Sequence, residues 1–344
     1  MPSSRPRLLN GLRQRAAELA KTLVLPESAD PRVLEAACRA AASGFCRPIL
    51  VGDAGEVRAR AAALGLDLPA TVAILDPAAD PRLPALAEEL AASLAARQLR
   101  VLNLADKVRD PLYYACLLVR DGRADGAVMG ALATTSDTLR AALRVIGPSP
   151  ARDGGGGLVT SCFLMILPDE RALIYADCGV IPDPDAAQLA EIAVQAAATY
   201  QLLVGGEPKV ALLSFSTKGS ANHPLLDKVI AASRILAERE LPFACDGELQ
   251  ADAALVAEIA ARKAPGSPVA GRANVLVFPD LNSGNIAYKL TERLAGASAV
   301  GPLLRGLALP IHDLSRGCSV EDILDTLAIT ALDASRLESP RRKP

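Results

Sequence analysis

The sequence predicts an α/β protein of two domains, each a mostly parallel sheet covered by helices. Three observations carry that expectation. The chain has 344 residues, room for two cores at roughly 100–200 residues per domain. Short apolar runs alternate with longer Ala/Leu-rich stretches of helical period, a βαβα rhythm that argues for a buried parallel sheet. The rhythm breaks at residues 148–157 (PSPARDGGGG), where four consecutive glycines have no place inside an element.

Leu8, Leu9, Leu12, Ala16 and Leu19 recur at helical spacing among Arg and Glu, which gives an amphipathic first helix rather than a signal-peptide core. Residues 21–27 (KTLVLPE) read as a strand and 30–43 as a helix entered at Asp30-Pro31. Strands are expected at 48–53 and 71–76, a helix at 84–97, a helix at 110–121 and a buried strand at 124–131. Beyond the Gly-rich stretch, 162–167 and 172–177 read as a hairpin around Pro168-Asp169-Glu170-Arg171. Helix 185–200, strand 209–215, helix 224–239, strand 242–247, helix 252–263 and strand 274–279 follow. A second α/β domain is therefore expected over residues 151–298. Residues 299–344 read again as strand then helix and are expected to rejoin the first domain, residues 1–150.

Composition excludes several functions. With 37 Lys+Arg against 39 Asp+Glu, the net charge of −2 gives no electrostatic reason to bind nucleic acid, and aromatics for stacking are only 3%. Charges, Gly or Pro interrupt each apolar run before it reaches the ~18 residues of a membrane span. His223 and His312 are too few for a multi-His metal site, so no metal is expected. The seven cysteines include no C-x-x-C pair and sit mostly in apolar runs, which reads as reduced thiols in a cytoplasmic protein.

In open α/β sheets ligands bind beyond the carboxyl ends of strands. Several of the expected strands end in chemistry: Ser216-Thr217-Lys218-Gly219-Ser220, Asp246-Gly247-Glu248, Asp280 through Asn285, and, after a strand at 303–310, His312-Asp313-Leu314-Ser315-Arg316. Small hydroxyl residues, Gly and a cation in such places suit an anionic ligand held by backbone N–H groups. The P-loop and dinucleotide fingerprints and the G-x-S-x-G elbow are absent, and one histidine near Ser315 does not make a triad.

The stretch 313–322 (DLSRGCSVED) says most. Ser319-Val320-Glu321-Asp322 fits a capping box that opens a helix running to about residue 334. Ser315 and Arg316 then lie in the turn before a helix N-terminus, where an anion is welcome. A continuous helix would set Ser315 about 10.5 Å from Asp322 along its axis, whereas a loop followed by a helix lets both face one cleft. The plainer alternative is that Asp322 only caps and Arg316 only pairs with a carboxylate.

The stretches LSFSTKGSA (213–221), DGELQADA (246–253), KAPGS (263–267), ANVLVFPDLNSGNI (273–286) and DLSRGCS (313–319) resemble those of the phosphate acetyltransferases, in the same order and over nearly the whole chain. The resemblance implies interconversion of acetyl-CoA plus phosphate with acetyl phosphate plus CoA, with no metal, no cofactor beyond CoA as substrate and no obligatory acyl-enzyme. It implies two α/β domains around a cleft, as in isocitrate and isopropylmalate dehydrogenases, and a homodimer whose partners are small molecules. Carried over residue by residue, Asp322 matches the proposed base for the CoA thiol, Ser315 the oxyanion-stabilising hydroxyl and Arg316 the phosphate-binding cation. Arg140 matches an arginine proposed to hold CoA, and Arg97, rather than Arg100, a second one. Three departures stand out: Ala141 where the family has Pro, Arg144 where it has Gln, and the Gly-rich loop 153–157. Two other readings stay open, phosphate butyryltransferase-like chemistry on longer acyl groups and a non-catalytic acyl-CoA-sensing domain.

Overall fold

The computed structural model describes residues 5–150 and 157–336, which fold as two compact units. The first unit comprises residues 9–150, 157 and 307–336, and the second residues 158–306 together with 5–8. Of the four glycines at 154–157, the first three lie outside the described residues, as does the tail beyond 336.

In chain order the elements are α1 (Arg7–Ala17), β1 (Thr22–Leu25), α2 (Pro31–Ala42), β2 (Arg47–Val51), α3 (Ala54–Ala63), β3 (Ala73–Leu75), α4 (Leu83–Ala96), α5 (Leu104–Lys107), α6 (Pro111–Arg120), β4 (Gly126–Met129) and α7 (Thr135–Val145). Next come β5 (Thr160–Ile166), β6 (Ala172–Ala176), α8 (Ala186–Val204), β7 (Lys209–Leu213), α9 (Pro224–Ala237), β8 (Ala244–Leu249), α10 (Ala251–Leu255), α11 (Ala257–Lys263), β9 (Val275–Val277), α12 (Leu281–Ala295) and β10 (Ser298–Arg305). The chain closes with β11 (Ile311–Asp313) and α13 (Val320–Ser335). No helix among the described residues is long and apolar enough to cross a membrane.

The first unit holds a five-stranded sheet in the order β11-β4-β1-β2-β3, and all its pairings are parallel. Strand alternation splits its core in two. Val24, Ile49, Val51, Ala127 and Met129 face a cluster with Leu86, Leu90 and Leu94 of α4 and the apolar run of α6. Leu23, Leu25, Leu50 and Val128 face the opposite way, against Leu34 and Ala37 of α2 and Ile323, Leu324 and Leu327 of α13. Successive side chains of a strand point to opposite faces, so a run such as TLVL needs helices on both sides.

The second unit holds a six-stranded mixed sheet in the order β10-β5-β6-β9-β7-β8. β5 and β6 form the expected hairpin, and β10 pairs antiparallel with β5. The return to the first unit therefore falls after Gly306, not at 299, because β10 finds its partner in β5. The single strand expected at 303–310 is two strands in two sheets, β10 and β11. The helix expected at 252–263 is broken at Val256, whose backbone is extended at φ −115° and ψ 114°. Amides of the following loop take the carbonyls of Ala253 and Ala254, from Gly271 and Ala273, in place of a helical continuation.

Candidate active site

The carboxyl ends of three neighbouring strands of the first unit meet through side-chain hydrogen bonds. β4 lies between β1 and β11, with Leu23 opposite Gly126 and Asp313 opposite Met129. After β1, Glu27 is buried and its carboxylate accepts four consecutive backbone N–H groups beyond β4: Gly130 (2.7 Å), Ala131 (2.7 Å), Leu132 (3.0 Å) and Ala133 (2.7 Å). After β11, Asp313 accepts from the Thr135 hydroxyl, the first residue of α7, at 2.6 Å. Its other oxygen, Oδ1, is buried and has no hydrogen-bond partner among the described residues. Burial pushes the Asp313 carboxyl up to about 6, against the lowering effect of the Thr135 hydrogen bond. Gly130 makes room for it: a Cβ there would lie 2.2 Å from Asp313 Oδ1, and its φ of +105° is one that side chains rarely adopt.

β1 is where the order of the sheet reverses, since the chain leaves it toward β2 on one side and reaches β4 on the other. Ligand sites of open α/β sheets favour that place. The segment from Leu314 to Ser319 leaves β11 there as a turn, and α13 begins at Val320. Ser315, Arg316 and Gly317 are exposed, while Leu314 and Cys318 are buried and hold the turn down. The capping box is present: the Ser319 hydroxyl accepts from the Asp322 N–H at 3.2 Å, and Asp322 Oδ2 accepts from the Ser319 N–H at 2.7 Å. Asp322 Oδ1 has no protein partner among the described residues, nor does the Arg316 guanidinium. Ser315 Oγ receives a long contact from the Gly317 N–H at 3.3 Å.

The neighbouring Glu321 is engaged instead. Burial raises its carboxyl, but hydrogen bonds from Arg39 and Arg13 outweigh that and bring it down to about 2. Arg13 of α1 also binds Asp325 at 2.9 Å and the Glu321 carbonyl at 3.0 Å, so α1 braces the first turns of α13. From Ile323 to Leu332 that helix is buried, so its N-terminus has little freedom to move.

Arg140 lies in the second turn of α7, exposed, donating to Asp137 at 2.6 Å and to Ser136 at 3.2 Å. Arg97 caps the C-terminus of α4 and donates to the carbonyls of Leu143 (2.6 Å) and Arg144 (3.0 Å) at the end of α7. Arg120 adds a bond to the Val145 carbonyl at 3.3 Å. Burial and the charges of Arg120 and Arg144 lower the pKa of Arg97. Arg100 is exposed with no protein partner among the described residues. His312 is buried with Nε2 2.8 Å from Asp333 of α13, so it serves the helix and not Ser315.

The other motif-bearing strand ends lie in the second unit and satisfy themselves. Asp246, Gly247 and Glu248 are part of β8, not the loop after it. Buried Glu248 accepts from the Ser216 hydroxyl (3.0 Å) and the Gly219 N–H (2.7 Å). Asp280 caps α12 through the Ser283 N–H at 2.8 Å. Backbone donors in these segments are taken by the protein's own groups, by carboxylates at Gly219 and Ser283 and by serine hydroxyls at Ser216, Thr217 and Ala221.

Sequence reasoning missed Glu27 and Arg32. Arg32, at the start of α2, reaches the carbonyls of Arg316 and Cys318, each at 2.8 Å. The rule that found the other sites, polar residues just after a strand, applies equally to Glu27-Ser28-Ala29-Asp30 after β1.

Exposed Ser315 and Arg316, just beyond the carboxyl end of a strand in a parallel sheet and just before a helix N-terminus, give this α/β protein a place suited to an anionic ligand. The chain belongs to the phosphate acetyl/butaryl transferase family, whose sequence profile matches residues 7–331. It is 44% identical over 331 residues to a phosphate acetyltransferase of Acetivibrio thermocellus, covering 95% of this chain and 98% of that one. It is 46% identical over 329 residues to a phosphate acetyltransferase of Paracoccus denitrificans, covering 94% and 98%. Among solved structures, a phosphotransacetylase from Streptococcus pyogenes matches with a TM-score of 0.89 at 41% identity, covering 96% of this chain and 98% of that one. The dehydrogenase likeness is one of fold alone: a 4-hydroxythreonine-4-phosphate dehydrogenase from Klebsiella pneumoniae aligns with a TM-score of 0.50 at 12% identity.

Proposed function

We propose that this chain interconverts acetyl-CoA plus phosphate and acetyl phosphate plus CoA by direct attack of the CoA sulfur on the acetyl carbonyl carbon. The observation that carries the reading is the turn before α13. There Arg316 and Asp322 Oδ1 are left without protein partners, on a helix whose first turns are otherwise braced. Asp322 Oδ1 takes the thiol proton while Oδ2 keeps its cap. Ser315 Oγ donates to the carbonyl oxygen as charge builds on it, and Arg316 holds the phosphate that leaves. A free thiol has a pKa of ~8.5 and a free aspartate ~3.9, so full transfer before attack is uphill by about 6 kcal/mol. The proton therefore moves as the carbon–sulfur bond forms.

Arg140 and Arg97 bind the phosphates of CoA in this reading. Arg140 is exposed and held by an easily exchanged surface pair. Arg97 has spent two of its five N–H donors on α7 and faces the positive charge of Arg120 and Arg144, which an anion would relieve. No metal or cofactor takes part, and the enzyme works in the cytoplasm. It is a homodimer. An exposed apolar row on α12, Ile286 (56%), Leu290 (52%) and Leu294 (81%), supports that reading, because four-residue spacing puts the three side chains on one helix face.

The test is phosphate-dependent CoA release from acetyl-, propionyl- and butyryl-CoA in the presence of EDTA. Acetyl-CoA is expected to be the best substrate. Asp322→Asn keeps an acceptor for the helix cap but no base, so a loss of about 10²–10⁴-fold is expected near neutrality. The deficit should shrink above pH ~8.5, where CoA supplies its own thiolate. A folded mutant with wild-type rates across that range would leave Asp322 as a cap alone.

A further inference from the structure

We infer that Arg32 is a positioning residue for the reaction: its guanidinium, with Asp30, clamps the backbone of the Ser315–Cys318 turn and so aims Ser315 and Arg316. This inference rests on the function proposed above.

The geometry is saturated. Nη1 donates to the carbonyls of Arg316 (2.8 Å) and Cys318 (2.8 Å). Nη2 donates to the Ala131 carbonyl (2.9 Å) and to Asp30 Oδ2 (2.6 Å), and Nε donates to Asp30 Oδ1 (3.0 Å). A guanidinium has five N–H donors, and all five are used on protein acceptors. None is left for a substrate, so Arg32 acts through the groups it holds.

Those groups span the three strand ends that form the site. Ala131 follows β4, and its N–H is held from the other side by Glu27. Arg316 and Cys318 follow β11, and Asp30 follows β1 and caps α2. Burial raises the Asp30 carboxyl, but its bonds to Arg32 prevail and hold it below the usual value. Asp30 thus stays charged and fixes the fork of Arg32 in one plane. Between the two carbonyls that Arg32 holds lies Gly317 alone, and the Arg316 side chain itself touches no protein partner among the described residues. The turn has one further internal bond between backbone groups, from the Cys318 N–H to the Ser315 carbonyl at 2.9 Å. Without the clamp, little else fixes the direction of the Arg316 side chain. Lysine cannot replace it, having three donors from one atom and no planar fork.

The test is steady-state kinetics on the full-length protein with Arg32→Lys and with Asp30→Asn, each compared per folded molecule by circular dichroism and gel filtration. Misplacement of a reacting group by ~1 Å is enough to slow a reaction about 10²-fold. Arg32→Lys is therefore expected to lower kcat about 10²-fold while KM for CoA moves by less than about threefold, since Arg32 touches no ligand. Asp30→Asn keeps the helix cap and should give a smaller kcat loss of the same kind. A purely structural role changes the yield or melting temperature and leaves kcat per folded molecule alone. The double variant Arg32→Lys with Arg316→Gln should lose clearly less than the product of the two single losses, because part of what the clamp aims is already gone and only Ser315 remains for it to place.

Wild-type kcat in folded Arg32→Lys, beside a crippled Arg316→Gln, overturns the clamp and leaves the proposed function standing. If Arg32→Lys does not fold, wild-type kcat in Asp30→Asn overturns it in the same way, and a reduced kcat supports it. Fully additive losses in the double variant also overturn it. Near-normal turnover in Arg316→Gln overturns the site reading and the clamp together.

Discussion

Replacing Asp313 by asparagine should make the stability of the protein less dependent on pH, and the size of the effect follows from the burial of one carboxyl. Asp313 is fully buried, has one oxygen on the Thr135 hydroxyl and leaves the other without a partner among the described residues. Burial raises its pKa from 3.8 to about 6, the direction in which folding favours the protonated form. The unfolded chain then loses its proton first as pH rises. The contribution of this group is fully present below pH ~4 and is lost as pH climbs through ~6. At 1.36 kcal/mol per unit, the loss totals about 3 kcal/mol, of which about 2 falls between pH ~4.5 and ~7.5. Asparagine has the same shape, still accepts from Thr135 and does not titrate. Urea unfolding of the wild type and Asp313→Asn at the two pH values gives a difference in which every unchanged group cancels. That difference should shift by about 2 kcal/mol in favour of asparagine on going to the higher pH. Parallel stability curves for the two proteins would refute the buried, proton-holding carboxyl.

Glu27→Gln should destabilise the first unit by about 2–4 kcal/mol in urea unfolding at neutral pH, because an amide NH₂ then faces backbone donors that a carboxylate had satisfied; a cost below about 1 kcal/mol would count against the four-donor cradle. Arg140→Ala should raise KM for CoA more than it lowers saturated turnover, since it removes binding energy at the remote nucleotide end, and a mutant with unchanged KM would take Arg140 out of the site. Arg97→Ala should raise KM for CoA and also lower the melting temperature, as the α7 carbonyls lose their cap; an unchanged KM would leave Arg97 with the helix alone. Leu294→Glu places a charge on the apolar row of α12 and should shift sedimentation from the proposed dimer to monomer; a wild type that sediments as a monomer, or a mutant dimer unchanged from it, would count against that contact.

Interactions between near neighbours in sequence were legible before any fold was known, and the distant ones were not. The capping box of Ser319 and Asp322 is a bond over three residues, and the α2 cap at Asp30 sits directly before the Pro31 that opens the helix. Such spacings are written in the chain because the backbone geometry of a helix start is the same everywhere. The break at Val256 was not legible, since Ala-rich sequence runs on without a helix breaker and the carbonyls are diverted by amides from a loop far ahead. The same holds for β10, whose apolar run suits either sheet until β5 is there to receive it.

The site divides along the same line. Ser315, Arg316 and Asp322 lie within eight residues of one another and share a motif, so roles could be proposed for them through a family resemblance. Arg32 reaches Arg316 across 284 positions and Glu27 reaches Gly130 across 103, and no periodicity or motif announces either bond. Both act on backbone groups, a carbonyl in one case and N–H donors in the other, which every residue possesses. A sequence therefore displays the groups that meet the substrate more readily than those that hold them still. In this chain the second kind stand just beyond β1, at the point where the order of the sheet reverses. A parallel sheet brings its strand ends together there whatever residues they carry. The next polar side chain after a central strand is accordingly the place to look for the groups that aim a site, even when its own sequence context is silent.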